Sequence, residues 1–556
     1  MNTQTLLKFM PIVGVVILSL VSILPLFHAG FFPIHDDTQV ARVFEMHKSL
    51  SDGLFPVRWV EDLGYSYGYP IFSFYAPLAY YIGAFFMFFG FAALTSTKIM
   101  IGLGVILAGV TMYLFTSELL DAESAMVAAI LYIFAPYHAV NIFVRGAIGE
   151  IWAYAFIPLA FYGFLKVARN PSWKSCLIAI VGFAGVIISH NLTALLIAPF
   201  LGGELIVLFF QASKKSTRKL LVISLLLALA VSSWYWLPAL TEMQYTNVVS
   251  QTVGGSEYKD HFVCLSQLWS SQWGFGGSAP GCLDGLSFEL GKIHVLLGVI
   301  GILLAVFFSK TKKRGLALLS GGGLVLAIFL MLPVSKPLWD NLPFMKYLQF
   351  PWRYLQAALF FLSLLGGIAF SEIRFDIKRL VTTKYLTVIA LGFGVVIIIA
   401  FYAKLFKPQF YYDPYRDETT RKNLVWTISK ISDEYMPSSF IKPKSYSDVP
   451  RLPYKPSNSL NVTIDSHTTS HLALNISAAD NQHIVLNLAY FPAWQITLDK
   501  TPASFAIGHG LYDVVIPKGQ HTLDAVFVQT PAEKIANLLS VLGILISVIG
   551  IIVKRR

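Results

Sequence analysis

Apolar stretches close to the ~20 residues an α-helix needs to cross a bilayer recur along the chain, with short polar turns between them. The pattern predicts twelve spans: 10–27, 98–118, 124–142, 151–167, 175–189, 194–210, 219–237, 293–309, 315–333, 353–370, 385–403 and 534–553. Two segments interrupt it. The first, 28–97, opens on His35, Asp36 and Asp37. A helix-period stretch follows, with Val40, Val43, Phe44 and Leu50 on one side and Arg42, Glu45 and Lys48 elsewhere, and then an aromatic, Gly- and Pro-rich run, Gly64 to Pro77. The second, 404–533, is polar. Within it LNVTI, LALNI, HIVLNL, WQITL and YDVVI alternate with period two between Asn, Asp, Gly and Pro, which predicts an antiparallel β-sandwich over about 455–530.

The expected organisation is a multi-span domain, 1–403, with its first loop at 28–97. A β-rich domain, 404–533, and a last span with a basic tail, 534–556, follow. No small-residue cleavage site follows the first span, so it reads as retained. Basic clusters orient the bundle: Lys214, Lys215, Arg218 and Lys219; Lys310, Lys312, Lys313 and Arg314; Arg374, Lys378, Arg379 and Lys384; and Lys554, Arg555 and Arg556. Positive loops stay cytoplasmic, which places both termini inside a plasma-membrane protein. The loops 28–97, 145–150, 238–292 and 334–352 and the β-rich domain then face outside. The stretch 71–94 is long enough to cross, but crossing would break this arrangement. Its prolines, Gly83 and aromatics suit a helix lying in or dipping into the outer interface.

Composition agrees with the pattern: 556 residues, 55% hydrophobic and 13% charged, about half the charge of a soluble domain. The net charge of +11 is spent on topology, and no nucleic-acid motif accompanies it. Of three cysteines, Cys176 falls in a span, while Cys264 and Cys282 share the 238–292 loop. An oxidising exterior favours a disulfide between them, and neither has a zinc-type neighbour.

Asp36 and Asp37, just outside a span, suit binding a cation or taking a proton. Capping the helix that starts near Thr38 is the plainer use of one of them. Arg145 and Glu150 lie close enough to pair with each other. His190, Asn191 and Thr193 occupy another turn between spans, where Asn191 is placed to cap. Arg353 opens a span, where the helix dipole favours anions, so a visiting phosphate or carboxylate explains it better than lipid snorkelling alone. GxGxxG, Walker A, GxSxG and HExxH are all absent from the sequence. In the β-rich domain Tyr490, Phe491, Trp494, His509, Tyr512 and His521 are expected near the outer loops, with Trp494 itself buried. Gly508–Gly510 reads as a turn and Pro517–His521 as a hairpin connection.

The layout of a first span, an extracytoplasmic acidic pair, a juxtamembrane helix, an aromatic-proline helix and a later acidic position resembles the C-class membrane glycosyltransferases. More closely, HDDTQVARVFEMHKSLSDGLFPVRW, RGAIGEIWAYAFIPLAF, ISHNLTALL, WLPAL and QFPWR resemble the pyruvoyl-tetrahydropterin-synthase-related membrane family. The end of the chain, AYFPAWQITLDKTPASFAIGHGLYDVVIPKGQHTLDAVF, is similar to the terminal β domain of bacterial membrane proteins that glycosylate cell-wall polymers. No His-triad zinc site supports pterin chemistry.

The resemblance implies sugar transfer from a polyprenyl phosphate to an extracytoplasmic glycan or envelope acceptor. Asp36, with Asp37 beside it, takes the catalytic position. Arg145, Arg353 and His190 fall to the donor phosphate, and Glu150, Tyr69, Tyr75 and Asn191 to substrate. A divalent metal, Mg or Mn, would sit on Asp36 and Glu150, although the family more often has Asp at the Glu150 position. Tyr69-Pro70 stands where the family has a lysine. Two other classes use the same residues: a lipid-linked-glycan transporter, whose site belongs near mid-membrane, and a non-catalytic envelope scaffold.

Overall fold

The structure is a computed structural model and describes residues 3–248, 257–308, 313–380, 384–412, 417 and 419–553. Of the basic residues that orient the bundle, Lys310, Lys312, Lys554, Arg555 and Arg556 lie outside the described residues.

Helices dominate up to Leu405, and eight strands occupy 460–527. Among the described residues, six helices are long and apolar enough to cross a membrane: Ala93–Ser117, Ile148–Arg169, Asn191–Gln211, Arg314–Met331, Pro351–Arg374 and Pro531–Val553. Counting two bent pairs as one span each brings the number to eight, so the expected twelve are not reached by this measure. The pairs are Ala122–Ile133 with Pro136–Arg145, bent by 42°, and Lys215–Val231 with Ser233–Tyr245, bent by 62°. Pro136 explains the first break, since proline has no N–H to donate and fits only a helix's opening turn. Shorter apolar helices account for much of the remainder, among them Trp173–Ser189 and Lys292–Phe308. The stretch 71–94 divides into Ile71–Phe74, Leu78–Phe88 and the start of the next helix. At 11 residues, or about 17 Å, Leu78–Phe88 is too short to cross.

The last helix shows how the bundle is held. Ala536, Ser540, Gly543, Ser547 and Gly550 face inward, while Ile535, Leu538, Leu542, Leu545, Ile549 and Ile552 are exposed. A Cβ on Gly550 would meet the Trp173 ring at 2.3 Å, and one on Gly543 would meet Ala230 Cβ at 3.1 Å. Small residues inward and large apolar ones outward is the reverse of a soluble helix, and it suits packing within lipid.

Strands β1 (Leu460–Thr468), β2 (His471–Ala478), β3 (Gln482–Ala489), β4 (Trp494–Leu498), β5 (Thr501–Pro502), β6 (Phe505–Gly508), β7 (Leu511–Ile516) and β8 (Gly519–Phe527) form two antiparallel sheets, β1-β2-β8-β4-β5 and β3-β7-β6. Leu472, Leu474, Ile476, Leu523 and Ala525 of the larger sheet are buried, as are Ile484, Leu486, Val514 and Ile516 of the smaller. Gly508–Gly510 turns a hairpin between β6 and β7. Pro517–Lys518 does not, because β7 and β8 belong to different sheets and the chain crosses between them there. Phe491 and Tyr512 are buried alongside Trp494 and are not loop residues facing solvent.

These sheets do not hang free. Ala489 N donates to Tyr67 O (2.7 Å), and Thr469 Oγ1 donates to Asp52 (2.6 Å). The buried Trp59 ring packs against Trp494 (5.5 Å between centroids) and Phe527 (5.7 Å).

Candidate functional site

The bent second span begins the site. After Pro136 its last turns widen into a π-helical turn, Asn141–Arg145, which stops at Gly146 in the left-handed region (φ 63°). Such turns recur at functional sites because they rotate side chains out of regular register. Tyr137, Asn141 and Arg145, four positions apart, converge. Arg145 Nη1 donates to the Tyr137 hydroxyl (3.0 Å) and Asn141 Oδ1 (2.7 Å). Its guanidinium lies 4.6 Å above the Trp352 ring.

The next helix opens at Ile148 and presents Glu150 from its first turn. Arg145 Nη2 donates to Glu150 Oε1 at 2.8 Å, and Arg353 Nε lies 3.2 Å from the same oxygen without hydrogen-bond alignment. Tyr137 Oη (2.8 Å) and Gln356 Nε2 (2.5 Å) donate to Oε2. All three charged side chains are buried: 1% exposed for Glu150, 7% for Arg145 and 8% for Arg353. Two guanidiniums therefore share one carboxylate, and a buried positive charge remains to be balanced by something further.

A turn away, His190 caps the helix Asn191–Gln211, its Nδ1 accepting from Thr193 N (3.2 Å). Thr193 Oγ1 donates to Gln356 Oε1 (3.3 Å), and His190 interacts electrostatically with Glu150 and both arginines. Gly149 permits this approach, since a Cβ there would meet His190 Cδ2 at 2.9 Å.

The acidic loop docks onto the same turn. His35 N and Asp36 N donate to Val144 O and Arg145 O, both at 3.0 Å, and Gln39 Nε2 donates to Gly146 O (2.8 Å). Thr38 is the N-cap of Gln39–Ser51 and makes no side-chain cap bond, so neither aspartate is spent on capping. Asp36 is half-buried. Its carboxylate accepts no hydrogen bond among the described residues, and it interacts electrostatically with Arg145, Arg353, Tyr75 and Tyr80. Asp37 accepts from the Tyr412 hydroxyl (3.3 Å).

Against Tyr75 stands a residue that the helical pattern set apart from the apolar side. Arg42, expected on the polar face, is 3% exposed, and Glu45 is fully buried. Arg42 Nη2 donates to Ser432 Oγ (2.9 Å), and its guanidinium covers the Tyr75 ring at 4.2 Å. Tyr80 Oη donates to Gln39 Oε1 (2.6 Å). Burial opposes the Arg42 charge, but Tyr80, Tyr75 and Glu434 outweigh it and hold the guanidinium above its ordinary value.

The predicted site residues thus divide. Asp36, Arg145, Glu150, His190 and Arg353 come together, with Tyr75 beside Asp36. Tyr69 does not join them as a ligand-facing group: it is fully buried, and its hydroxyl is engaged by Ser432 and by Tyr435 N (3.2 Å). Asn191 bonds the adjacent Leu192 N (2.9 Å), and His190 takes the capping role expected of it. The anion that Arg353 awaits in its opening turn is the protein's own Glu150. That same pairing argues against Glu150 as a metal ligand, because two guanidiniums repel a divalent cation at its oxygens. Among the described residues no group of three or more His, Cys, Asp and Glu is placed to hold a metal. Tyr137, Asn141 and Gln356 were missed, although helical spacing from Arg145 and Arg353 signals each of them.

A family model described as "6-pyruvoyl-tetrahydropterin synthase related domain; membrane protein" matches residues 72–405. The chain belongs to this family. A Lactococcus lactis relative described as an uncharacterized protein is 24% identical over 243 residues, 41% of this chain and 39% of its own length, so the chain spans well under half of that relative. Among solved structures, the chain is similar to the arabinofuranosyltransferase AftD from Mycobacteria at 11% identity and a TM-score of 0.47, over 74% of this chain and 27% of that one. It is also similar to the archaeal oligosaccharyltransferase AglB from Archaeoglobus fulgidus, described in complex with an inhibitory peptide and a dolichol-phosphate, at 13% identity and a TM-score of 0.48, over 81% and 62%.

Proposed function

We propose that this membrane protein transfers a sugar from a polyprenyl-phosphate donor to a hydroxyl of an extracytoplasmic glycan or envelope acceptor. One observation carries the reading: the half-buried Asp36 carboxylate, which accepts no hydrogen bond among the described residues, lies within electrostatic reach of two buried guanidiniums that share a single carboxylate. A base, and two guanidiniums left with net positive charge once that base takes a proton, are what displacement of a phosphate needs. The acceptor O–H gives its proton to Asp36 as its oxygen attacks the anomeric carbon. The bond from that carbon to phosphate oxygen breaks, and the electron pair leaves on the phosphate toward Arg145 and Arg353. No step runs through a metal.

The placement of charge supports an extracytoplasmic site. Glu150 and Lys166 lie on one helix about 24 Å apart, and Arg353 and Arg374 on another about 31 Å apart, close to the ~30 Å of a hydrocarbon core. At the far ends Lys166 pairs with Glu118 (3.1 Å) and Arg374 with Glu123 (2.5 Å). With the basic end cytoplasmic, the Asp36 end is outside. A site at a helix end rather than at mid-depth favours an enzyme over an alternating-access transporter.

The test is transfer from labelled polyprenyl-phosphate sugar by the full chain reconstituted in liposomes. D36N is expected to lose about 100-fold or more of turnover while inserting and melting like the wild type. Turnover retained by D36N overturns the reading.

A further inference from the structure

The segment just before the β sheets contributes to the same neighbourhood as Asp36. Residues 432–436 are fixed on several sides: Ser432 by Arg42, Asp433 by the Tyr65 hydroxyl (2.8 Å) and Lys442 (2.7 Å), and Met436 O by Asn247 N (2.9 Å). Tyr435 stacks on Phe74 at 5.1 Å between centroids. Tyr75 links the two halves, interacting electrostatically with Asp36, Arg42 and Tyr435. Glu434, next to Tyr435 in the chain, is half-buried. Its carboxylate accepts from Ser432 Oγ (3.2 Å) and forms no ion pair among the described residues, although Arg42 is near enough to attract it. Arg42 spends its Nη atoms on Ser432 and Tyr80, and its Nε is buried without a hydrogen-bond partner.

We infer that Glu434, Tyr435 and Tyr75 form a subsite for an uncharged, hydroxyl-rich saccharide, connected to Asp36 through Tyr75. A carboxylate held without a salt bridge accepts vicinal hydroxyls, and the ring faces of Tyr75 and Tyr435 not covered by Arg42 and Phe74 suit sugar C–H surfaces. The Glu434 carboxylate repels phosphate and carboxylate groups. An anionic acceptor is therefore disfavoured here, whereas the arginine side suits a phosphate. This assigns the acceptor's chemical class and rests on the glycosyl-transfer reading.

Saturation-transfer-difference NMR on the full chain in nanodiscs tests it. The probes are the methyl glycosides of glucose, galactose, mannose and arabinofuranose, with glucose 6-phosphate as the anionic counterpart. Glucose 6-phosphate bound on the arginine side is not expected to respond to substitution of Glu434, whereas at least one neutral glycoside is expected to bind. E434Q should weaken that binding about tenfold or more and E434D less, because a neutral amide loses the charge-assisted bonds that a shorter carboxylate partly keeps. D480N, at an exposed turn, should leave it unchanged. Binding of no neutral glycoside, or equal binding by E434Q in protein that melts like the wild type, overturns the subsite. The two proposals fail separately. Turnover by D36N sinks the transfer reading, whereas unaltered glycoside binding in E434Q beside an inactive D36N sinks the subsite alone.

Discussion

Single side chains at the site are held by opposite charge rather than by packing, and their substitution separates stability from chemistry. Removing the Glu150 charge leaves two buried guanidiniums without a buried counter-ion. E150Q is expected to lose about 3–5 kcal/mol, read as a fall in thermal midpoint in detergent. An unchanged midpoint would mean that water or lipid phosphate already neutralises the pair. Glu45 gives a pH signature of its own. Burial, and then repulsion from Asp62, push its carboxyl well above the ordinary value, with Lys48 pulling the other way. A carboxyl raised on folding stabilises most below its unfolded value near 4.5, and that contribution is lost as pH climbs through the folded one. E45Q should therefore gain on the wild type as pH rises from 5 to 8. A melting difference that stays flat over that range would refute the assignment.

Two elements depend on backbone geometry. Gly146 ends the π-helical turn at positive φ, and a Cβ there would meet Ile34 Cδ1 at 2.3 Å, on the loop that carries Asp36. G146A is expected to cost about 2–4 kcal/mol, from left-handed strain plus overpacking, and to lower turnover by displacing Asp36. Adding I34V should recover part of the packing cost and none of the backbone cost, a split that melting curves can read. In the loop 257–292, Cys264 and Cys282 are joined with Cα atoms 5.9 Å apart. Closing an 18-residue separation stabilises by about 3 kcal/mol in the chain-entropy model. Unreduced protein should take up no thiol label at either position, and reduction should lower the melting midpoint. Two labelled thiols would place this loop on a reducing side.

Across the whole molecule the first loop acts as a keystone. Arg58, 1% exposed, lies 3.3 Å from Glu533 Oε1 and donates to Trp234 O (2.8 Å) and Asn537 Oδ1 (3.2 Å). It thereby joins the loop to the bent pair Lys215–Val231 and Ser233–Tyr245 and to the last helix. Glu242 is buried beside this group and accepts from Thr530. R58M leaves two buried carboxylates without their cation and is expected to cost about 3–5 kcal/mol, with the last helix becoming sensitive to protease. Excising 455–530 would uncover Trp59, so impaired insertion is expected as well as poorer acceptor use. A deletion that melts like the full chain would show the seam to be dispensable.

Much of this was legible in the sequence. Apolar runs marked the helices, period-two alternation marked most of the strands, and 35–37, 145–150 and 349–353 marked segments that the fold brings together. These signals are local, because burial against lipid or a sheet face imposes a fixed spacing on neighbouring positions. The breaks at Pro136 and near Ser232 lowered the count of long spans, since hydropathy averages across a kink. Arg42 and Glu45, off the apolar side of their helix, are buried as well, because their partners, Ser432 and Asp62, lie in other segments. Pairing needs only proximity, which periodicity does not encode. That Arg353 answers Glu150, or that Glu434 stands near Arg42 at all, was decided only by tertiary structure: hydrophobic spacing fixes which face of a helix is buried, and only the packed bundle fixes which charge it meets there.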